Sequence, residues 1–413
     1  MQFRGSKLLY VFFVVVMGHG AEQALAGDYT ESAHGDSVDG VNRSSMVGYS
    51  VGNCAHCHEQ HASVDGAEAE PVGGEPAPYT LFDGYTSQTE NFCLRCHTEV
   101  GSCQSGGIIN RSYSYRAGNY SADSLNDIEE AFSFTVAGSS HSLDDILTFV
   151  DGKWGYNAYS NPCVACHNPH AVKGDPFNSP CSAKDAGNRG YPVSRPSQHA
   201  DLATWGLWGD GNGEKMSDVS SNYQAPYRNG STMVYEPDGS TTQDGSNLTD
   251  FVTFCTDCHD KTNTIYSARL GRNLYKINWS GVDYGGTAAD LHGAKKGRDA
   301  YSDKGTIKAP YDEGSATDYT LSCTDCHEPH GSPNAFLLRK EVNGVVISVD
   351  IHATNDNGGW TEFCLACHDV TVTGNGGPCG TNFHGAPSWP LTKPCHTCHK
   401  HGAYVCTGGN SSF

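Results

Sequence analysis

The chain has 413 residues, a formal net charge of −20, 49 glycines and only 37% hydrophobic residues. An acidic chain of this kind repels nucleic-acid phosphates and anionic membrane surfaces, which excludes both as partners. So little apolar material predicts a weak core unless another apolar component fills it.

The first 26 residues are typical of a secretory signal peptide. Arg4 and Lys7 form the charged start, residues 8–17 are apolar, and Ala24 and Ala26 complete a small-x-small cleavage site. The apolar run is shorter than the roughly 20 residues that a spanning helix needs. We therefore expect export without a transmembrane anchor, to the extracellular space or outer cell surface, with the periplasm as the alternative.

Residues 27–413 are expected to form a single module, with a soft possible boundary in the Gly- and Ser-rich stretch 230–248. Helical patterns with polar caps occur over 124–132 and 142–150. Residues 341–349 predict a hairpin, because an Asn-Gly pair separates two apolar runs.

Seven Cys-x-x-Cys-His motifs dominate the chain, whereas residue frequencies predict about 0.04 chance matches. In such a motif two thiols attach a haem covalently and the histidine binds its iron. The predicted cofactor is therefore seven haem c groups. The attachment residues are Cys54, Cys57, Cys93, Cys96, Cys163, Cys166, Cys255, Cys258, Cys323, Cys326, Cys364, Cys367, Cys395 and Cys398. The motif histidines are His58, His97, His167, His259, His327, His368 and His399.

Seven porphyrins would supply the missing apolar material, since each is a large flat plate tied to the backbone. We therefore predict a mostly irregular, loop-rich fold with short α-helices and minor β-hairpins, organised around a stacked chain of seven haems. Abundant glycine suits this architecture, because it lets the backbone pass close to a macrocycle.

The second axial ligand of each iron is expected to be histidine, since the chain has 20 histidines and only 5 methionines. Glycine neighbours, small neighbours or the doubled motif favour seven of them: His34, His61, His141, His170, His292, His330 and His384. His199, His352 and His401 are reserves. His56 and His396 lie inside motifs and are expected to be exposed and unligated.

Three motifs extend to Cys-x-x-Cys-His-x-x-His, ending at His61, His170 and His330. A histidine three residues after the motif projects from the same side, so it cannot reach the opposite face of its own haem. Each is therefore expected to bind a different haem and to hold two irons at a short separation.

Four cysteines lie outside the motifs. An even number in an oxidising compartment favours two disulfides. The shorter loops favour Cys103–Cys181 and Cys379–Cys406, although the other pairings and free thiols remain open.

The segments Cys323-Thr-Asp-Cys-His-Glu-Pro-His and Cys163-Val-Ala-Cys-His-Asn-Pro-His resemble doubled-CxxCH multihaem cytochromes, including extracellular, nanowire-type respiratory cytochromes of metal-reducing bacteria. The resemblance implies electron transfer to other redox proteins or extracellular acceptors rather than enzymatic catalysis. For the filament-forming members it also implies a head-to-tail homo-oligomer, in which a histidine near the first motif, here His61 or His34, reaches the next subunit. A multihaem reductase with one open iron and a monomeric periplasmic shuttle remain the alternatives.

Overall fold

The computed structural model describes residues 29–30, 32–59, 78–98, 100–105, 128–134, 138–170, 172, 254–278, 292, 306–307, 323–342, 345–352, 357–369, 399–400 and 403–404. The predicted signal peptide and the possible boundary at 230–248 lie outside them.

The helices of the described residues are short. The α-helices are α1 (Ile128–Phe132), α2 (Leu143–Val150), α3 (Cys323–Cys326) and α4 (Asn357–Leu365). Single 3-10 turns occupy Cys54–His56, Pro78–Thr80, Cys93–Arg95, Pro162–Ala165 and Ala335–Leu337. The helix predicted at 142–150 is confirmed as α2, which begins after Ser142 because its side chain accepts a hydrogen bond from the Asp145 amide. The described part of the helix predicted at 124–132 is α1.

The strands of the described residues form two-stranded antiparallel pairs. They are β1 (Ser139–Ser140) with β5 (Gly331–Ser332), β2 (Tyr266–Ser267) with β3 (Arg272–Asn273), β4 (Thr306–Ile307) with β8 (His368–Asp369), β6 (Glu341–Val342) with β7 (Val345–Val346), and β9 (His399–Lys400) with β10 (Ala403–Tyr404). The predicted hairpin is confirmed as β6–β7. The β1–β5 pair instead joins distant parts of the chain, which places residue 141 beside residue 330.

Two small hydrophobic clusters lie in the described residues. One cluster surrounds Trp360 with Ile347, Ile351 and Phe363, and the half-buried Cys326 and Cys367 pack against it. The other contains Val150, Tyr156 and Ala165. Both clusters therefore lie against Cys-x-x-Cys-His motifs. In the described part of the chain, no helix is long and apolar enough to span a membrane.

Each of the first five motifs folds as one tight turn. The amide of the motif histidine donates to the carbonyl of the first cysteine at 2.9 Å in all five, which begin at Cys54, Cys93, Cys163, Cys255 and Cys323. Asn91 and Asn161 cap two of these turns, because each side-chain oxygen accepts from the amide of the cysteine two residues later. A single turn gathers both thiols and the imidazole in one place, which covalent haem attachment requires.

Candidate haem-binding site

Four pairs of histidine rings lie with their centroids 6.0–6.1 Å apart. Each pair combines one motif histidine with one predicted distal ligand. The pairs are His58 with His170, His97 with His34, His167 with His330, and His259 with His141. The first and third pairs are stacked at interplanar angles of 17° and 10°, and the other two are tilted.

This spacing is the one that two axial ligands of a single iron would have. A metal–imidazole bond of about 2.0 Å, with about 1.1 Å from the bonded nitrogen to the ring centroid, places two rings about 6 Å apart across one metal. Ordinary aromatic pairs also lie about 4.5–7 Å apart, so the informative feature is that each pair joins a motif histidine to a predicted distal ligand at this spacing. The four ring pairs therefore fit haem irons held between two histidines.

The doubled motifs connect motif turns that are two apart in the chain. His170 follows the third motif and lies against His58 of the first, whereas His330 follows the fifth motif and lies against His167 of the third. Because only two residues separate the two histidines of a doubled motif, each such segment ties two iron positions together rigidly.

The intervening iron position is tied to the same segments through proline carbonyls. His34 Nδ1 donates to the Pro169 carbonyl at 2.8 Å, and the His141 ring is hydrogen-bonded to the Pro329 backbone. Burial lowers the pKa of His141, which keeps its imidazole neutral as a metal ligand requires. Each Cys-His-x-Pro-His segment thus organises three successive positions: its own motif, the preceding one, and the one before that.

Two motif histidines have the same surroundings. His58 Nδ1 donates to the Tyr79 carbonyl and His327 Nδ1 to the Phe336 carbonyl, both at 3.0 Å. Tyr79 and Phe336 have φ angles of 60° and 59°, which aim these carbonyls at the rings. Occupying Nδ1 leaves Nε2 as the nitrogen available to iron. Sequence reasoning missed these acceptors, since backbone carbonyls carry no residue signature.

Buried ion pairs accompany the same two motifs, and sequence reasoning missed them too. Glu59 follows His58 and forms an ion pair with Arg43, whose side chain is 0% exposed. Glu328 follows His327 and lies 3.3 Å from Arg339 Nη1. The sequence does show a glutamate directly after each of these motif histidines. It does not reveal the arginine partner, because Arg43 precedes its motif along the chain whereas Arg339 follows its motif.

The thiols of consecutive motifs are neighbours. Burial, assisted by nearby thiols, raises the pKa of Cys57 and Cys96 to about 12. The sulfur pairs that interact between motifs include Cys57 with Cys93, Cys93 with Cys163, Cys166 with Cys258, Cys255 with Cys323, and Cys326 with Cys367. The attachment points of the first six motifs therefore follow one another in space in the order of the chain.

The prediction for His56 is wrong in one respect. This side chain is buried rather than exposed, because Nδ1 accepts from the Arg43 amide and Nε2 donates to the Ser50 carbonyl, both at 3.0 Å. Both ring nitrogens are thus committed to the backbone. The position between two motif cysteines suggested exposure, whereas the backbone of residues 43–50 covers the ring.

Several predicted site residues are described only in part. The structure describes His292 as half-buried, and His368 and His399 through the backbone of β8 and β9. His61, His384, Cys395 and Cys398 lie outside the described residues, as do Cys181, Cys379 and Cys406 of the two predicted disulfides.

Residues 314–345 match the protein family described as the doubled CXXCH motif. The match covers 32 of the 413 residues. No curated protein matches the chain. No solved structure does either. The doubled motif makes the chain similar to multihaem c-type cytochromes, and it indicates covalent haem binding and a role in electron transfer.

Proposed function

We propose that the chain is an exported cytochrome that carries electrons along a row of seven covalently attached haems, each held by two histidines. The observation that carries this proposal is the set of four ring pairs, which combine motif and non-motif histidines at the separation that one iron requires. A haem with two histidine ligands supplies one-electron redox chemistry at low potential compared with histidine–methionine ligation.

The residues of the chain serve this function by position rather than by catalysis. The motif turns hold two thiols and one imidazole together, and the doubled segments supply the opposite imidazole from elsewhere in the chain. The contacts between thiols of consecutive motifs favour a continuous row over separate, isolated cofactors.

Intact-mass measurement tests the cofactor count. Protein matured in a host competent for cytochrome c assembly should have the mass of the processed chain plus seven haems. Its visible and paramagnetic resonance spectra should lack a high-spin component, because every iron has two histidines. Six or fewer haems would refute the count, and a stoichiometric high-spin haem that binds nitrite or hydroxylamine would favour the reductase.

We further propose that copies of the chain assemble head to tail. The second histidine of the third motif pairs with the first motif, and that of the fifth pairs with the third. In both cases the extra histidine pairs with the motif two places earlier. The first motif also carries such a histidine, His61, and residues 1–53 contain no motif that could receive it. The same offset, continued into a neighbouring copy with seven motifs, would bring His61 to the sixth motif of that copy, at His368. A directional contact of this kind gives an open filament unless the rotation closes a ring.

Micrographs of the native extracellular fraction should therefore show thin filaments of one repeating subunit, and His61→Ala should shorten or abolish them. His34→Ala is the matched control: His34 lies against His97 of its own chain, so this change should open an iron but leave the filaments. Monomers at high concentration with all seven irons saturated within one chain would support the soluble shuttle instead.

A further inference from the structure

The side chain of Glu328 is completely buried between an arginine and a distal histidine. Its Oε2 lies 3.3 Å from Arg339 Nη1, and its Oε1 lies 3.4 Å from His330 Nδ1. The Arg339 side chain is 1% exposed. Arg339 is thus the buried cation that accompanies this carboxylate, and its contact with one oxygen leaves the other directed at the imidazole.

The ring of His330 is held in a defined orientation. Its plane is nearly parallel to that of His167, at 10° and with a centroid separation of 6.1 Å, and the ring of Phe132 packs against it edge-on at 5.6 Å. Because Nδ1 faces Glu328, Nε2 is the nitrogen available to iron. Other ligand rings face neutral acceptors instead: His34, His58 and His327 each direct Nδ1 at a backbone carbonyl.

We propose that Glu328 is a positioning residue that lowers the reduction potential of the iron held between His167 and His330. The inference rests on the proposed function, since it requires a haem iron in that ring pair. A negative charge beside the imidazole increases its electron density and makes it a stronger donor, which stabilises ferric iron over ferrous. The 3.4 Å separation is a charge contact rather than a hydrogen bond, and burial leaves it little screened by water.

The third motif offers a matched position without the charge. Asn168 occupies the place of Glu328, and its Oδ1 accepts from the His170 amide at 3.1 Å, just as Glu328 Oε1 faces the His330 amide at 3.5 Å. An amide oxygen is neutral. The iron between His58 and His170 therefore lacks the effect that Glu328 exerts. Asn168→Asp should introduce it in a weaker form, because residue 168 is half-buried whereas Glu328 is fully buried.

Redox titration followed by paramagnetic resonance tests the inference on the haem-loaded protein. The relevant signal is identified as the low-spin species that His330→Ala removes. In Glu328→Gln the oxidised-to-reduced ratio of this iron at a fixed potential should fall about tenfold, a rise of ~59 mV for a one-electron couple. Its g-values should move as the ligand becomes a weaker donor. In Asn168→Asp the potential of the His58–His170 iron should fall.

A second variant separates the effect on the ligand from simple removal of negative charge. Glu328→Gln/Arg339→Gln removes both charges, so a potential that stays raised supports action through His330. A return to the parent potential would overturn the inference, as would no shift in Glu328→Gln. If the Glu328 variants do not fold, an unchanged potential in Asn168→Asp overturns it. If His330→Ala removes no low-spin signal, it is the proposed iron site that fails.

Discussion

His330→Ala should convert one haem iron from six-coordinate low-spin to five-coordinate high-spin without loss of any covalent haem. The reason is that His330 is the ring facing His167 at 6.1 Å, whereas the thioether bonds of that haem come from Cys163 and Cys166. Visible and paramagnetic resonance spectra would report the spin state, and intact mass would report the haem count. Added imidazole should restore the low-spin spectrum, because it can occupy the vacated position.

His170→Ala should have the same effect on the iron at His58. The double variant then shows how many irons the two histidines serve. If the two histidines serve different irons, His170→Ala/His330→Ala should show two high-spin haems where each single variant shows one. Unchanged low-spin spectra in both single variants would mean that the ring pairs have no role in iron binding. If the double variant showed only one high-spin haem, the two histidines would share one iron.

Gly331→Ala should disturb two iron positions through the backbone alone. A Cβ at residue 331 would lie 1.7 Å from the Ala131 carbonyl oxygen and 3.2 Å from Phe134 Cδ2, so α1 and β5 would have to separate. Overpacking of this kind costs about 1–3 kcal/mol or more. Strand β5 follows His330 directly, and the His330 carbonyl accepts from the His141 amide at 3.1 Å. We therefore expect partial high-spin character at both irons and a lower midpoint of thermal unfolding.

Gly101→Ala is the matched control for this substitution. Nothing lies within 4 Å of a Cβ at residue 101, although its φ of +79° disfavours any side chain. The change should cost only the backbone strain of about 1–2 kcal/mol and leave all irons low-spin. A Gly331→Ala protein with the parent spectrum and parent thermal stability would show that α1 and β5 do not position these ligands.

The sequence alone predicted those features that depend on local chemistry. Ser142 with Asp145 three residues later predicted the start of α2, and an Asn-Gly pair predicted the β6–β7 hairpin, because caps and tight turns are set within a few residues. The Cys-x-x-Cys-His repeat likewise predicted which thiols and imidazoles belong together, because all of them lie within five residues.

Pairings between distant residues could not be predicted in the same way. The set of distal candidates contained all four partners found in the ring pairs, yet nothing local says that His34 faces His97 or that His141 faces His259. Those pairings depend on β1–β5 and on the proline carbonyls, which join segments far apart in the chain. The glycine after His330 permits close approach to the α1 backbone, a contact that no local pattern indicates.

The buried charges were missed for a related reason. From sequence alone, a glutamate is expected to be exposed to solvent. Only the fold shows that Glu59 and Glu328 are buried beside arginines. Burial is what turns such a residue from a solubilising charge into one that acts on a neighbouring ligand.

A density map of the haem-loaded protein, at a resolution that shows both axial ligands of every iron, tests the central claim most directly. The account predicts His170, His34, His330 and His141 opposite His58, His97, His167 and His259 respectively, with consecutive haems in the order of the chain. In filaments it predicts His61 of a neighbouring copy opposite His368. Water, methionine or an open coordination site opposite any of the first four motif histidines would contradict it.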